Sequence, residues 1–294
     1  MAPPDPGRPF VGSAALTDGS LTSHRLRSGY RRLFPDVYID AGAPVDPFAL
    51  VEAAHLWAPA GTVLGGMAAA LMHRERWYAA DAVRHTVDAY IVGTVHAPRG
   101  IRLRRLRRPL PSSQVTTTSG LLVTTPARTA IDVGRWEPHD DRAIAKIDAV
   151  CNRSRVHVDE VRALAAELRG VHGLNRVRGL LPWCDRRADS PPETRLRLML
   201  VRAGFPPTPQ LVIRNQYGAE VARPDLAYEE QRVAIFYDSE LHRRKATWEF
   251  DGFATAELTE LGWIVIRVTA AMMRNPEVVL RQIVSALRRG SARP

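Results

Sequence analysis

Residues 223–242 run Arg223-Pro-Asp-Leu-Ala-Tyr228, a Glu229-Glu-Gln-Arg232 turn, then Val233-Ala-Ile-Phe-Tyr-Asp238 and Ser239-Glu-Leu-His242. Two apolar segments around a short polar turn predict a two-stranded ribbon, and Val233–Tyr237 has the unbroken apolar composition of a strand buried on both faces. Asp225 interrupts the first strand and Asp238 directly follows the second. A carboxylate so placed is costly unless a cation neutralises it. A divalent metal is a common partner, because hard cations take oxygen ligands, activate water and stabilise charge on a phosphate. On spacing alone the same residues read equally as a strand start after Pro224, a turn at Asp238-Ser239 and a solvated His242.

The order of elements around the ribbon is more informative. Residues 191–203 predict a helix with Pro192 near its first turn and Gly204 at its end. Gln210–Arg214, Val221–Tyr228 and Arg232–Tyr237 predict three strands, the first two joined by an Asn215-Gln-Tyr-Gly218 turn. Phe250, Phe253, Ala254, Leu258 and Leu261 recur at helical spacing over 246–261, and Gly262 stops that helix. Trp263–Val268 predicts a fourth strand, and Pro276 opens a last helix to about Leu287. The order is α-β-β-β-α-β-α.

This order resembles the core of the PD-(D/E)xK nucleases, the restriction-endonuclease-like superfamily, and more closely its very-short-patch-repair endonuclease branch. The residues that carry the resemblance, over about 188–290, are Ser190-Pro-Pro-Glu193, Pro224-Asp225, Val233-Ala-Ile-Phe-Tyr-Asp238, Glu240, His242, Asp251 and Leu261-Gly-Trp-Ile-Val-Ile-Arg267. The resemblance implies that Asp225 is the principal metal ligand, with Glu193 and Asp238 completing a magnesium or manganese site. It implies a catalytic group of Asp225, Asp238, Glu240 and His242, in which His242 transfers the proton because imidazole titrates near neutrality. Arg243, Arg244 and Lys245 would touch phosphate; as residues alone they read as the solvated opening of the next helix, and His242 as a rim histidine. Two positions depart from the pattern. Many relatives carry a strand glutamate at the position of Phe236, which shares a strand face with Asp238, although the short-patch-repair branch commonly has an apolar Ile-Phe there. Ser239 stands where glycine is usual.

The rest of the chain has a different balance. The 294 residues carry a net charge of +10, yet residues 188–262 hold nine basic and twelve acidic side chains, a balance of −3, so the remainder carries +13. Attraction for phosphate is therefore expected mainly outside the C-terminal core. Of the 41 basic residues 39 are Arg, a bias that a GC-rich genome also produces.

Near the N-terminus, Val11–Thr17 and Thr22–Ser28 predict two short helices around Asp18-Gly-Ser20, and Tyr30–Ile39 predicts a hairpin, together a winged helix-turn-helix. With the segments Ala53–Trp57 and Gly65–His73, this portion resembles the N-terminal region of the AbiEi-type antitoxin and regulator family. That resemblance implies DNA as partner, with Ser23, His24, Arg25 and Arg27 facing bases or backbone and Arg31 and Arg32 on phosphates from the wing. A toxin or another protein is a further partner it implies. On residue grounds these are equally the surface residues of a small helical domain. The segment Arg99–Arg108, with six arginines between Pro98 and Pro109, predicts a strand with one basic face, suited to a phosphate backbone or to protecting a sheet edge. Thr124–Asp132 predicts a capped helix start with Pro126 in its first turn.

These readings give an α/β, or α+β multidomain, chain. Residues 1–45 form a winged-helix-like DNA-binding region, 46–181 a mixed, mainly helical middle region with a basic strand, 182–190 a linker and 191–290 the nuclease-like domain. Without an apolar run of about eighteen residues or a secretory leader at Met1–Pro9, no membrane segment and a cytoplasmic location are expected. Cys151 and Cys184 are too few for a thiolate zinc cluster or a disulfide framework. Gly61-Thr-Val-Leu-Gly-Gly66 lacks the Gly-Lys-Ser/Thr ending of a phosphate-binding loop. The leading expectation is a DNA-binding, metal-dependent endonuclease acting in repair, restriction or defence. The alternative is a non-catalytic DNA-binding regulator or antitoxin that retains a degenerate nuclease fold. A third reading, a protein interaction module, predicts weak DNA binding without the salt dependence of counterion release.

Overall fold

The computed structural model describes residues 3–238 and 245–292, with side chains described from residue 253 onward in the second stretch. The chain is a mixed α and β protein, as the sequence leads one to expect, and divides into two compact units. One comprises Met1–Pro138 and Arg153–Pro182, the other His139–Asn152 and Trp183–Pro294. Among the described residues no helix is long and apolar enough to cross a membrane.

The first unit begins with β1 (Phe10–Val11), α1 (Gly12–Thr17), α2 (Ser23–Gly29), β2 (Tyr30–Phe34) and β3 (Val37–Asp40), the strands ordered β1-β3-β2. The two short helices close over Ala15, Leu21 and Leu26, against which Phe10, Tyr30 and Tyr38 pack. Thr22 caps α2 by accepting from the Arg25 amide at 3.2 Å. Next come α3 (Pro47–Trp57), β4 (Val63–Leu64), α4 (Gly66–Met72), α5 (Ala79–His85), β5 (Val87–Val92), β6 (Ile101–Leu106), β7 (Val115–Thr118), β8 (Leu121–Thr124) and α6 (Pro126–Trp136). The helix α7 (Asp140–Ser154) precedes α8 (Val158–Glu167) and α9 (Leu174–Leu180).

The middle region is mixed and mainly helical as expected, but the expected basic strand is only one of five, β4 to β8, which form a sheet ordered β6-β5-β4-β8-β7. Its central strand β4 has only two residues, too few to show a period of two. The first five residues of its neighbour β5 are all buried, which removes the alternation of a half-exposed strand. Pro126 opens α6 as expected, but Thr125 supplies no side-chain cap.

In the second unit, α10 (Pro191–Arg202) is followed by β9 (Thr208–Pro209), β10 (Ile213–Arg214), β11 (Glu220–Ala222), β12 (Leu226–Tyr228), β13 (Val233–Asp238), α11 (Lys245–Glu260), β14 (Ile264–Thr269) and α12 (Pro276–Ser291). The main sheet is ordered β14-β13-β12-β9, with β13 and β14 parallel and α11 supplying the crossover that parallel neighbours require. One sheet face packs on Leu196 and Leu200 of α10 and on Val279, Ile283 and Leu287 of α12. The other face meets Leu258 of α11 through Ala234. The strand expected over 221–228 is broken into β11 and β12 at Arg223-Pro224-Asp225, because proline has no amide to donate to a ladder.

The expected linker 182–190 is not a free tether. The Asp185 amide donates to Asp148 of α7 at 2.8 Å, Asn152 donates to the Arg186 carbonyl at 3.0 Å, and Ala188 is buried. Asp148 also accepts from Thr194 at 3.0 Å and Arg197 at 2.9 Å in α10. Complete burial, resisted by Arg197, pushes the Asp148 carboxyl up to about 7. These bonds place all but the last turn of α7 with the C-terminal unit, which sequence periodicity alone did not indicate.

Candidate functional site

The break at Pro224 puts Asp225 just ahead of β12, where its carboxylate takes over work that a strand partner would do. Its Oδ2 accepts the Tyr237 amide at 2.6 Å, and its backbone carbonyl accepts the Gln210 amide at 3.1 Å. Gln210 follows β9 in a left-handed conformation (φ 52°). Its side-chain amide donates to Asp225 Oδ1 at 3.3 Å and to Glu193 Oε2 at 3.2 Å, so one neutral group bridges two acids.

Glu193 reaches this point from the first turn of α10. Ser190 caps the helix, accepting from the Glu193 amide at 3.4 Å, and its hydroxyl donates to Glu193 Oε1 at 2.6 Å; the Asp189 amide donates to Oε2 at 2.9 Å. The glutamate tied into the cap of α10 is thereby also linked, through Gln210, to Asp225. Both acids are largely buried, and both hold their protons more tightly than usual. For Glu193 the causes are burial and then the charge of Asp225. For Asp225 burial dominates, opposed by the bonds from Tyr237 and Gln210 and reinforced by Asp189 and Asp238.

Asp238 does not complete a triad with them. It shares a strand face with Ala234 and Phe236, and Arg267 of β14 pairs with it at 3.2 Å while lying 5.6 Å from the centre of the Phe236 ring. Among the described residues no group of three His, Cys, Asp or Glu side chains stands together in a metal-binding arrangement. The three-acid set expected from the sequence is therefore reduced to a pair, Glu193 and Asp225. That pair fits a hard cation in one respect: buried Glu193 and partly buried Asp225 lie together, bridged among the described residues by the Gln210 amide, where a positive charge would relieve the desolvation of both. Glu240, His242, Arg243 and Arg244 lie outside the described residues, as do the side chains of Lys245 and Asp251. Gln210 and Arg267 carried no signal as site residues, since nothing in the sequence shows a left-handed backbone or a cross-strand pairing.

In the first unit the candidate nucleic-acid surface is built on the hairpin. The turn residue Asp36, at φ 60°, turns back onto the start of α1: its carbonyl accepts the Gly12 amide at 2.8 Å and its carboxylate the Ser13 amide at 2.9 Å. An anion at a helix N-terminus is favourable, and here it ties the wing to the helices. Gly12 allows the approach, since a Cβ there would lie 2.6 Å from the Tyr38 ring. On α2 only Leu26 is buried, leaving Ser23, His24, Arg25 and Arg27 exposed. Among the described residues Arg25 and Arg27 pair with no acid. Arg31 donates instead to the Ala43 carbonyl at 2.9 Å and Arg32 to that of Phe34 at 3.3 Å, so the expected wing arginines partly serve the motif itself.

The basic strand is β6, an edge of the five-stranded sheet. Arg102 and Arg104 lie within 3.0 Å of Asp88, and Arg104 also stacks 4.0 Å above Trp136. Those two arginines are committed to the sheet. Arg105, Arg107 and Arg108 are exposed at its far end.

Residues 81–183 match the AbiEi antitoxin C-terminal domain, a stretch that follows in the chain the N-terminal portion whose residues resemble the N-terminal region of that family. The chain is also 35% identical over 183 residues to uncharacterised proteins from two strains of Mycobacterium tuberculosis, CDC 1551 and H37Rv. Each match covers 62% of this chain and 62% of the relative, so the chain spans under two thirds of the length of these curated relatives.

Proposed function

We propose that the protein is a DNA-binding regulator of the antitoxin kind. The observation that carries this reading is the AbiEi antitoxin C-terminal match over residues 81–183, directly behind a winged helix whose α2 exposes His24, Arg25 and Arg27. In such an arrangement α2 enters the major groove and its arginines meet bases or backbone. A cognate toxin is the second partner the likeness suggests. The test is fluorescence anisotropy with duplexes drawn from the region preceding the protein's own coding sequence and with a random duplex, over a range of salt. Binding should weaken steeply with salt, and Arg25→Ala with Arg27→Ala should lower the slope by about one for each phosphate no longer neutralised. A full chain that binds no duplex at low salt would refute the reading.

A second reading, metal-dependent phosphodiester hydrolysis, is favoured by one observation, the buried Glu193–Asp225 pair. Those two acids would hold magnesium or manganese, which when bound would acidify water and neutralise charge on the phosphate. The Tyr237 amide and Gln210 hold Asp225 in place. The check is plasmid cleavage with either metal, comparing the wild type with Asp225→Ala. Normal cutting by the variant would exclude this site as its source.

A further inference from the structure

We propose that the groove between the end of the five-stranded sheet and the strap that follows β6 is a docking site for a protein segment carrying an aliphatic side chain flanked by carboxylates. The site shares no residue with α2 and does not depend on the protein's binding to DNA. Residues 107–114 carry the chain from β6, at one edge of the sheet, to β7 at the other. Pro109 and Pro111 stiffen this strap. It is fastened where the Gln114 amide donates to the Pro111 carbonyl at 2.8 Å and the Gln114 carbonyl accepts the Thr125 amide at 3.0 Å. Beside Val92 and Leu106, the last residues of β5 and β6, it leaves an open cavity of about 340 Å³, at the small end of ligand sites. Pro109, Leu110, Val115 and Leu122 add apolar wall. Val92 is the anomaly, because the five residues before it in β5 are buried while it is 51% exposed. An aliphatic side chain open to water at a preformed apolar groove is stabilised by being covered, and the stiff strap has little freedom left to lose.

Charge decides what covers it. Between Asp88 and Asp132 the chain has seven arginines and no acid. Asp88 is taken up by Arg102 and Arg104, and Asp132 by Arg128 and Arg135. Arg107 and Arg108 stand in the chain between the lining residues Leu106 and Pro109; both are exposed, and among the described residues neither pairs with an acid. An occupant must therefore bring negative charge to this rim and an apolar group to the groove. A nucleic acid supplies only the first. The groove has no charged side chain in its wall, and its Tyr90 is buried with the hydroxyl given to Asp132 at 2.7 Å, so it offers no open ring on which a base could stack. A leucine, isoleucine or valine set between glutamates or aspartates supplies both.

The probe is an array of immobilised peptides in which the central residue and the flanking charges vary independently, read with the labelled full-length chain. The best peptide is then measured in solution by fluorescence polarisation. Selection of an aliphatic centre within acidic flanks is expected. Val92→Glu, at an exposed position where folding is little affected, should weaken that peptide by about tenfold. Arg107→Glu combined with Arg108→Glu should weaken it as much and should move the preference of the array to basic flanks, an exchange that loss of folding cannot produce. An array with no preference at its centre, or unchanged binding by Val92→Glu, overturns the proposal. It is also overturned if no peptide is selected while a random duplex binds and loses affinity in the double variant, which assigns the rim to phosphate. A dimer on size-exclusion chromatography that Val92→Glu dissociates gives the groove to a second copy of the chain and overturns it as well.

Discussion

Asp132 in the first unit is a buried acid and Asp225 in the second a largely buried one, and the protein treats them in opposite ways. Asp132, with no exposed surface, accepts from Tyr90 at 2.7 Å, Arg128 at 3.2 Å and Arg135 at 2.9 Å. Its arginines are themselves enclosed, Arg128 reaching Tyr90 at 2.9 Å and Arg135 lying 4.7 Å from the centre of the Trp136 ring. Among the described residues Asp225 receives only a backbone amide and a glutamine amide, with a second acid nearby. A buried charge met by arginine is architecture. One left beside its own kind is costly, and such unmatched acids mark sites where function has been placed ahead of stability.

The sharpest test of that contrast is Asp132→Ala. Leaving Arg128 and Arg135 buried without their acid should cost about 3–5 kcal/mol, read from urea unfolding; a loss under 1 kcal/mol would mean that the network is ornamental. Next is Gly66→Ala in the same unit. A Cβ at Gly66 would lie 2.3 Å from Trp136 Cζ3, in a backbone at φ 53°, so a loss of about 2–3 kcal/mol is expected, with a shift in tryptophan fluorescence.

Asp225→Asn should act with the opposite sign, stabilising by about 1 kcal/mol at pH 8. The folded state holds the Asp225 proton more tightly than the unfolded chain does. The contribution of this acid is therefore fully present below its unfolded value near 4 and is lost as pH rises through the raised folded value. The gain should accordingly vanish when melting is repeated at pH 4; destabilisation at pH 8 would place Asp225 in the same class as Asp132. The smallest effect on stability is expected from Arg25→Ala and Arg27→Ala, within about 0.5 kcal/mol. Their melting curves should overlay the wild type even where duplex binding is reduced, and a large loss of stability would assign them to the fold.

Local chemistry marked Asp225, an acid set within an apolar strand, whereas Glu193 stood out only through the resemblance of Ser190-Pro-Pro-Glu193 to a nuclease helix. It did not mark Gln210, whose part depends on a left-handed turn and on facing Asp225 across β9 and β12. Asp238 stood out just as clearly as Asp225, yet strand alternation sends it to the face where β14 supplies Arg267. Similarly, Arg102 and Arg104 suited a phosphate backbone and a protected sheet edge alike until Asp88 of the adjacent strand is seen between them.

What the chain determined by itself was every feature written in short-range pattern: α10, β13, α11, β14 and α12, the two helices and hairpin near the N-terminus, and the concentration of positive charge outside residues 188–262. Tertiary structure decided the rest. It made a five-stranded sheet from strands too short or too buried to show a period, drew most of α7 into the C-terminal unit through Asp148, and sorted the acids into those paired with arginine and those left to face each other. The physical reason is that propensity and capping act within a few residues, whereas the cost of burying a charge depends on which distant side chain the fold brings beside it.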